Sequence, residues 1–232
     1  MTERLLDLLR HGETVGGNRF RGRLDDELTD LGWSQMRAAV QTGGPDPNGW
    51  QRIISSPASR CRAFAESLSL ELSLPLAILP SFAERDFGDW EGMSPDAIAP
   101  DDLARFWSDP QQFTPPRAEP LIHFRHRVRG GWKQLLDEDH GNALLITHGG
   151  VVRIIIAEVL GIPVDRLLLI EVPHACRTRL RLPGGGWRPS LVAHGSVPSK
   201  QAPGLASGKH RIAIFNTTGQ HPGRSESCIT PY

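Results

Sequence analysis

Two apolar runs of strand length each stop at a histidine-glycine pair, and this feature constrains the fold more than any other. RLLDLL at 4–9 leads into Arg10-His11-Gly12, and NALLIT at 142–147 leads into His148-Gly149-Gly150. A run that is apolar on both sides predicts a strand buried on both faces, as in the middle of a sheet covered by helices. RIISS at 52–56 reads as a second strand, LAIL at 76–79 as a third, and RLLLIEV at 166–172 as a further one. The segments between them have helical character. One helix is expected from Thr29, a plausible N-cap, with Leu31, Met36, Ala39 and Val40 on one face. A second is expected from Ser56 as N-cap and Pro57 at the first helical position, burying Cys61, Phe64, Ala65 and Leu68. Leu121, Phe124, Val128, Trp132 and Leu135 recur at helical spacing despite Gly130-Gly131, and VVRIIIAEVL is a buried helix closed by Gly161, with Pro163 beyond. Strands alternating with helices predict an α/β fold: a three-layer α/β/α sandwich with a mainly parallel sheet.

Composition narrows the classes of function. The chain has 232 residues with 39% hydrophobic content, enough for one core, and 26 basic against 26 acidic residues. That balance gives no global pull toward nucleic acid or an anionic membrane, so neither is expected as a partner. Cys61, Cys176 and Cys228 are too few and too scattered for a disulfide framework or a CxxC zinc site, and read as reduced thiols. The N-terminal apolar run is too short for a secretory signal and Asp7 breaks it, so a cytoplasmic location is expected. Residues 1–195 are expected to form one domain. Residues 196–232 begin with a Gly/Pro/Ser-rich linker and continue as a net basic tail, disordered or docked as an edge strand through Ile212 to Phe215.

In open parallel sheets ligands bind beyond the carboxyl ends of the strands. Arg10 and His11 end the first strand, Arg60 follows the second, and His148 ends the NALLIT strand. Taken singly, each has an ordinary explanation as a solvated or loop-satisfying residue. Together they would repel one another unless a doubly charged anion sits among them, and phosphate fits that demand. Gly12 and Gly149 would let backbone amides approach such an anion, with the helix after Gly150 directing its positive end at the rim. Neither GxxxxGK[ST] nor GxGxxG is present, so nucleotide-binding loops are not indicated.

LLRHGET, SSPASRCRAFAE, AERDFGDWEG and LLITHGG, in that order, resemble the histidine phosphatase superfamily, which includes the cofactor-dependent phosphoglycerate mutases. The resemblance implies a phosphoglycerate mutase-like fold with no metal or cofactor. By motif, His11 corresponds to the nucleophile that takes the phosphoryl group, Arg10, Arg60 and His148 to the phosphoryl-binding pocket, and Glu84 to the proton donor for the leaving oxygen. The chemistry agrees with these assignments. A neutral imidazole is a nucleophile, phosphoryl transfer asks chiefly for alignment and charge compensation, and an ester oxygen leaves readily only when protonated.

Only Gly92 to His148 separates the glutamate segment from the second histidine, less than the mutases insert to shield a phosphoenzyme, which favours hydrolysis. FRGRLDDELTDLGWSQM and ERDFGDWEGM resemble α-ribazole phosphatases most closely, implying a small phosphorylated metabolite, α-ribazole 5′-phosphate of cobalamin nucleotide-loop assembly, as substrate. Arg21, Arg23, Phe106, Trp107 and Phe113 are then expected to shape the base-binding side, the aromatics having core packing as the alternative. Glu13 and Thr14 read as braces of the turn after His11. DFGDWEG reads as a capped turn over Trp90, and His174 as a residue that could line the rim. A broad-specificity sugar-phosphate phosphatase, a mutase-like enzyme and a non-catalytic phosphate-binding adaptor are the alternatives. Oligomeric state is not legible.

Overall fold

The computed structural model describes residues 3–41, 49–138, 141–184 and 187–195. Six strands, β1 (Arg4–Arg10), β2 (Arg52–Ser55), β3 (Leu76–Ile78), β4 (Ala143–Thr147), β5 (Arg177–Leu182) and β6 (Ser190–Gly195), form one sheet in the order β3-β2-β4-β1-β5-β6. The first four in that order run parallel, while β5 and β6 add antiparallel edges. Five α-helices accompany them: α1 (Asp30–Gln41), α2 (Ser59–Leu72), α3 (Pro100–Ser108), α4 (Leu121–Asp137) and α5 (Gly149–Leu160).

Side-chain alternation along β4 shows why the central runs are apolar throughout. Leu145 faces one layer, where α4 and α5 bring Val128, Trp132, Ile154 and Ile155. Leu144 and Ile146 face the other, with Met36 of α1 and Phe64 and Leu68 of α2. This is the α/β/α sandwich with a mostly parallel sheet that the sequence predicts. A third cluster, outside the sheet layers, joins Trp90, Ile98, Phe106 and Phe113. No helix among the described residues is long and apolar enough to cross a membrane.

Three expectations are corrected. RLLLIEV is not a strand. Val164–Leu169 is a 3-10 turn after Pro163, in which Leu167 is buried but Leu169 is 79% exposed, so the run is not apolar in its surroundings. The strand comes later, at RTRLRL, where Thr178, Leu180 and Leu182 point inward. Arg177 and Arg179 reach back across β1 to the buried carboxylate of Asp7. Leu31 lies exposed rather than on the buried face of α1, whose N-cap is nevertheless Thr29, its hydroxyl accepting from the Gly32 amide at 3.0 Å. Ser56 does not cap α2, which begins three residues later. The Ser59 amide donates instead to the Asp25 carboxylate at 2.7 Å, and the Ser56 hydroxyl is bonded to His148. The expected linker and tail, with Cys228, lie outside the described residues.

Candidate active site

Strand register assembles the site before any side-chain preference acts. Arg10 of β1 is level with Thr147 of β4, and Ser55 of β2 with Ile146. One step beyond those pairs, His11, Ser56 and His148 leave three adjacent strands at the same edge of the sheet. The His11 amide donates to Thr147 O at 2.9 Å and the Ser56 amide to Ile146 O at 3.0 Å, extending the ladder to the site's rim. The His11 and His148 rings lie 5.3 Å apart, edge to face, and His148 Nε2 is 2.7 Å from Ser56 Oγ.

His11 is 6% exposed, and its Nδ1 lies 2.8 Å from the Gly12 carbonyl. A carbonyl only accepts, so Nδ1 carries the proton and Nε2 keeps its lone pair. Burial, and then the charges of Arg10 and Arg60, hold the His11 imidazole well below its usual pKa. His148 is shifted the same way by burial, then by Arg60 and His11. His174 closes the group at 5.8 Å from His11, pushed down to about 4 by burial and then by Arg10, with Glu13 opposing.

Arg60 is 0% exposed, and its terminal nitrogens donate to Leu24 O at 2.8 Å and Gly22 O at 3.0 Å. Arg10 donates to the Val172 carbonyl. The Nε atoms of both arginines are buried with no hydrogen-bond partner among the described residues. Buried guanidinium donors left unmatched are costly, and a tetrahedral anion in front of His11 is a group that could use them.

Glu84 follows the 3-10 turn Pro80–Phe82 and accepts from the Arg85 amide at 2.9 Å and the Gly150 amide at 3.0 Å. Its carboxylate therefore sits against the first turn of α5, two residues from His148. Gly150 is required for this approach, since a Cβ there would come within 2.3 Å of Glu84 Oε1. Gly149 opens α5 between Arg10 and Arg153, where a Cβ would lie 3.6 Å from Arg10 Nε and 3.2 Å from Arg153 Nη1. Gly12 has a different reason from the one expected: its Cβ would meet the Gly32 carbonyl oxygen at 2.2 Å, so its bareness lets α1 pack close.

Arg10, His11, Arg60, Glu84, His148 and Gly149 thus converge on one rim. Arg21 and Arg23 do not reach the aromatic side of the site. Arg21 is bound to Asp26 at 2.6 Å and to its own loop's carbonyls, and exposed Arg23 pairs with Asp86 at 2.8 Å and borders a second, polar groove that Glu84 also lines. The aromatics divide: Phe106 and Phe113 are core, while Trp107 is 44% exposed and lines, with Phe106, a pocket beside Glu84. Glu13 braces the turn, accepting from the Thr29 hydroxyl at 2.7 Å. DFGDWEG is a tight turn over buried Trp90, as its composition predicts.

Sequence reasoning missed Glu91. Its carboxylate accepts from the Gly22 amide at 3.0 Å, Arg23 at 3.1 Å, Leu24 at 2.9 Å and Phe87 at 2.9 Å. The loop it gathers is the one whose carbonyls hold Arg60. A lone glutamate in a turn carries no sequence signal of that work, because three of its four partners are backbone amides about seventy residues upstream.

The chain is similar to known phosphatases in sequence and in structure. The glucosyl-3-phosphoglycerate phosphatase of Mycolicibacterium vanbaalenii is 33% identical over 179 residues, covering 71% of this chain and 78% of that protein. The structure of the α-ribazole phosphatase of Shigella flexneri superposes with a TM-score of 0.72 at 25% identity, covering 83% of this chain and 96% of that one. A mycobacterial glucosyl-3-phosphoglycerate phosphatase in complex with VO3 superposes with a TM-score of 0.73 at 27% identity, covering 84% and 100%.

The histidine shifts yield a direct test. The unfolded chain takes up imidazole protons near pH 6.5, whereas His11 and His148 in the folded chain stay neutral below that value. The unfolded state therefore binds more protons as pH falls through 6.5, and these groups make the fold less stable there. Nitrogen-15 NMR of the ligand-free protein at about pH 6 should show both rings neutral, with His11 protonated on Nδ1; an imidazolium signal from either would contradict the burial argument. The profile of the histidine phosphatase superfamily (branch 1) matches residues 6–194, and the chain belongs to that superfamily.

Proposed function

We propose that the protein is a phosphomonoesterase that works without a metal, through a phosphohistidine on His11. The observation that carries the reading is the neutral, Nδ1-protonated His11 beside two buried guanidinium Nε donors that have no partner among the described residues. His11 Nε2 attacks phosphorus as the bond to the ester oxygen breaks, and Glu84 gives that oxygen its proton. Glu84 then takes a proton from water, the water oxygen bonds to phosphorus, the N–P bond breaks, and His11 leaves neutral with phosphate as product. Arg10, Arg60 and His148 hold the equatorial oxygens throughout, so fixed charge supplies the compensation that a metal supplies elsewhere. The presence of nucleophile, acid and both arginines argues against a merely phosphate-binding adaptor.

Two esters each rest on an observation. α-Ribazole 5′-phosphate, implied by the sequence resemblance, is supported by the walls of the pocket at Glu84, where Phe20, Phe87, Phe106 and Trp107 offer stacking faces to a benzimidazole. The substrate named for the Mycolicibacterium relative is supported by that protein's 33% identity.

Rapid quenching with labelled substrate should trap an acid-labile, base-stable phosphoryl adduct, and turnover should survive EDTA. An undiminished adduct in His11→Ala, or activity lost in EDTA and restored by Mg²⁺, would overturn the mechanism. For the ester, a kcat/KM for α-ribazole 5′-phosphate about tenfold or more above simple sugar phosphates supports the cobalamin reading. Equal values would remove it.

A further inference from the structure

The pocket beside Glu84 is small, about 130 Å³, and mostly greasy, yet two guanidiniums border it. Neither belongs to the phosphoryl set. Arg85 follows Glu84 directly and is 4% exposed. Its Nε donates to the Glu119 carbonyl at 2.8 Å, its guanidinium carbon lies 5.9 Å from the centre of the Phe106 ring, and its Nη2 is buried with no hydrogen-bond partner among the described residues. Arg153 comes from the first turns of α5, and its only hydrogen bond among the described residues runs from Nε to the Ile170 carbonyl at 2.8 Å. Its Nη1 and Arg10 Nε both approach Gly149, and Arg153 also lines the pocket, so it links the phosphoryl rim to the pocket.

Unspent charged donors in an apolar pocket specify the missing group. A hydroxyl or a neutral ring would leave a buried guanidinium N–H without an acceptor of matching strength, whereas a carboxylate presents two oxygens to such a fork. Arg153's position beside Arg10 sets the two negative groups close together. From these observations we infer that Arg85 and Arg153 form an anion subsite on the leaving-group side of Glu84, so that the preferred ester is the phosphate of an alcohol that carries a carboxylate. Placing that subsite on the leaving-group side rests on the phosphatase reading, but on neither of the two esters named for it. Among candidate esters it ranks those whose alcohol carries an acid above those whose alcohol is neutral.

The test compares 3-phosphoglycerate with glycerol 3-phosphate, which are similar in length and differ in the carboxylate. With the full chain, kcat/KM for the acid should exceed that for the neutral ester about tenfold or more, the scale of a charge-assisted hydrogen bond. Arg85→Gln and Arg153→Gln should each bring the ratio toward one, and Arg153→Lys, which keeps the charge, should retain part of it. Equilibrium binding of the same two esters to His11→Ala gives the ratio without turnover. A ratio near one in the wild-type chain, or one unchanged in both Gln variants, overturns the subsite even if hydrolysis proceeds. Preferential binding of the acid with no His11-dependent hydrolysis sustains the subsite and removes the phosphatase reading instead.

Discussion

Three guanidiniums, those of Arg10, Arg85 and Arg153, feel the carboxylate of Glu84, and Arg10, Arg60 and Arg85 each keep a buried nitrogen with no hydrogen-bond partner among the described residues. Leaving one buried donor unmatched costs about 1–3 kcal/mol, and more when it is charged. Burial is the first cause lowering the Arg10 pKa to about 10, and the neighbouring Arg153 charge adds to it. A fold selected for stability alone would not collect such groups at one rim. In the proposed mechanism an anionic substrate resolves the imbalance on binding, and the same charges become the means by which it is held and transferred.

The rest of the structure keeps that arrangement from relaxing. The parallel register of β1, β2 and β4 fixes where His11, Ser56 and His148 emerge, and apolar layers on both faces fix the register, since a slip of one residue would turn Leu144 and Ile146 to the wrong side. Arg60 cannot swing toward solvent because Gly22 and Leu24 hold its terminal nitrogens, and that loop is gathered on Glu91. Asp25 adds a second duty from the same loop by capping α2, the helix that carries Arg60. His11 is kept neutral by burial and by the charges of Arg10 and Arg60, the residues proposed to bind the phosphoryl group. In the proposed mechanism one set of charges thus sets both the nucleophile's protonation state and its target.

Much of this was legible in the sequence, for physical reasons that also explain the failures. Continuous apolar runs stopping at His11 and His148 are visible because central strands are buried on both faces and polar residues must wait until the strand ends. RTRLRL was overlooked because its outward arginines mask a period-two pattern, and they are tolerated in the sheet because Asp7 lies buried opposite them. RLLLIEV deceived for the converse reason: its leucines are apolar, yet one is spent on solvent in a turn. Ser56 looked like a cap and Gly12 like an amide for an anion. Both are occupied by long-range partners, His148 and Gly32, that only the folded chain brings near. Glu91, Arg85 and Arg153 share that limitation, because their roles depend on backbone carbonyls and amides supplied by distant loops.

The central claim is that a phosphoryl-sized anion belongs between the His11 ring and the unmatched arginine nitrogens. A crystal structure of the protein grown with orthovanadate tests it most directly. The account predicts vanadium bonded to, or within contact distance of, His11 Nε2, with its oxygens hydrogen-bonded to Arg10 Nε and Arg60 Nε and one oxygen facing Glu84. Vanadate bound elsewhere while this rim stays empty, or held there without either arginine, would contradict it.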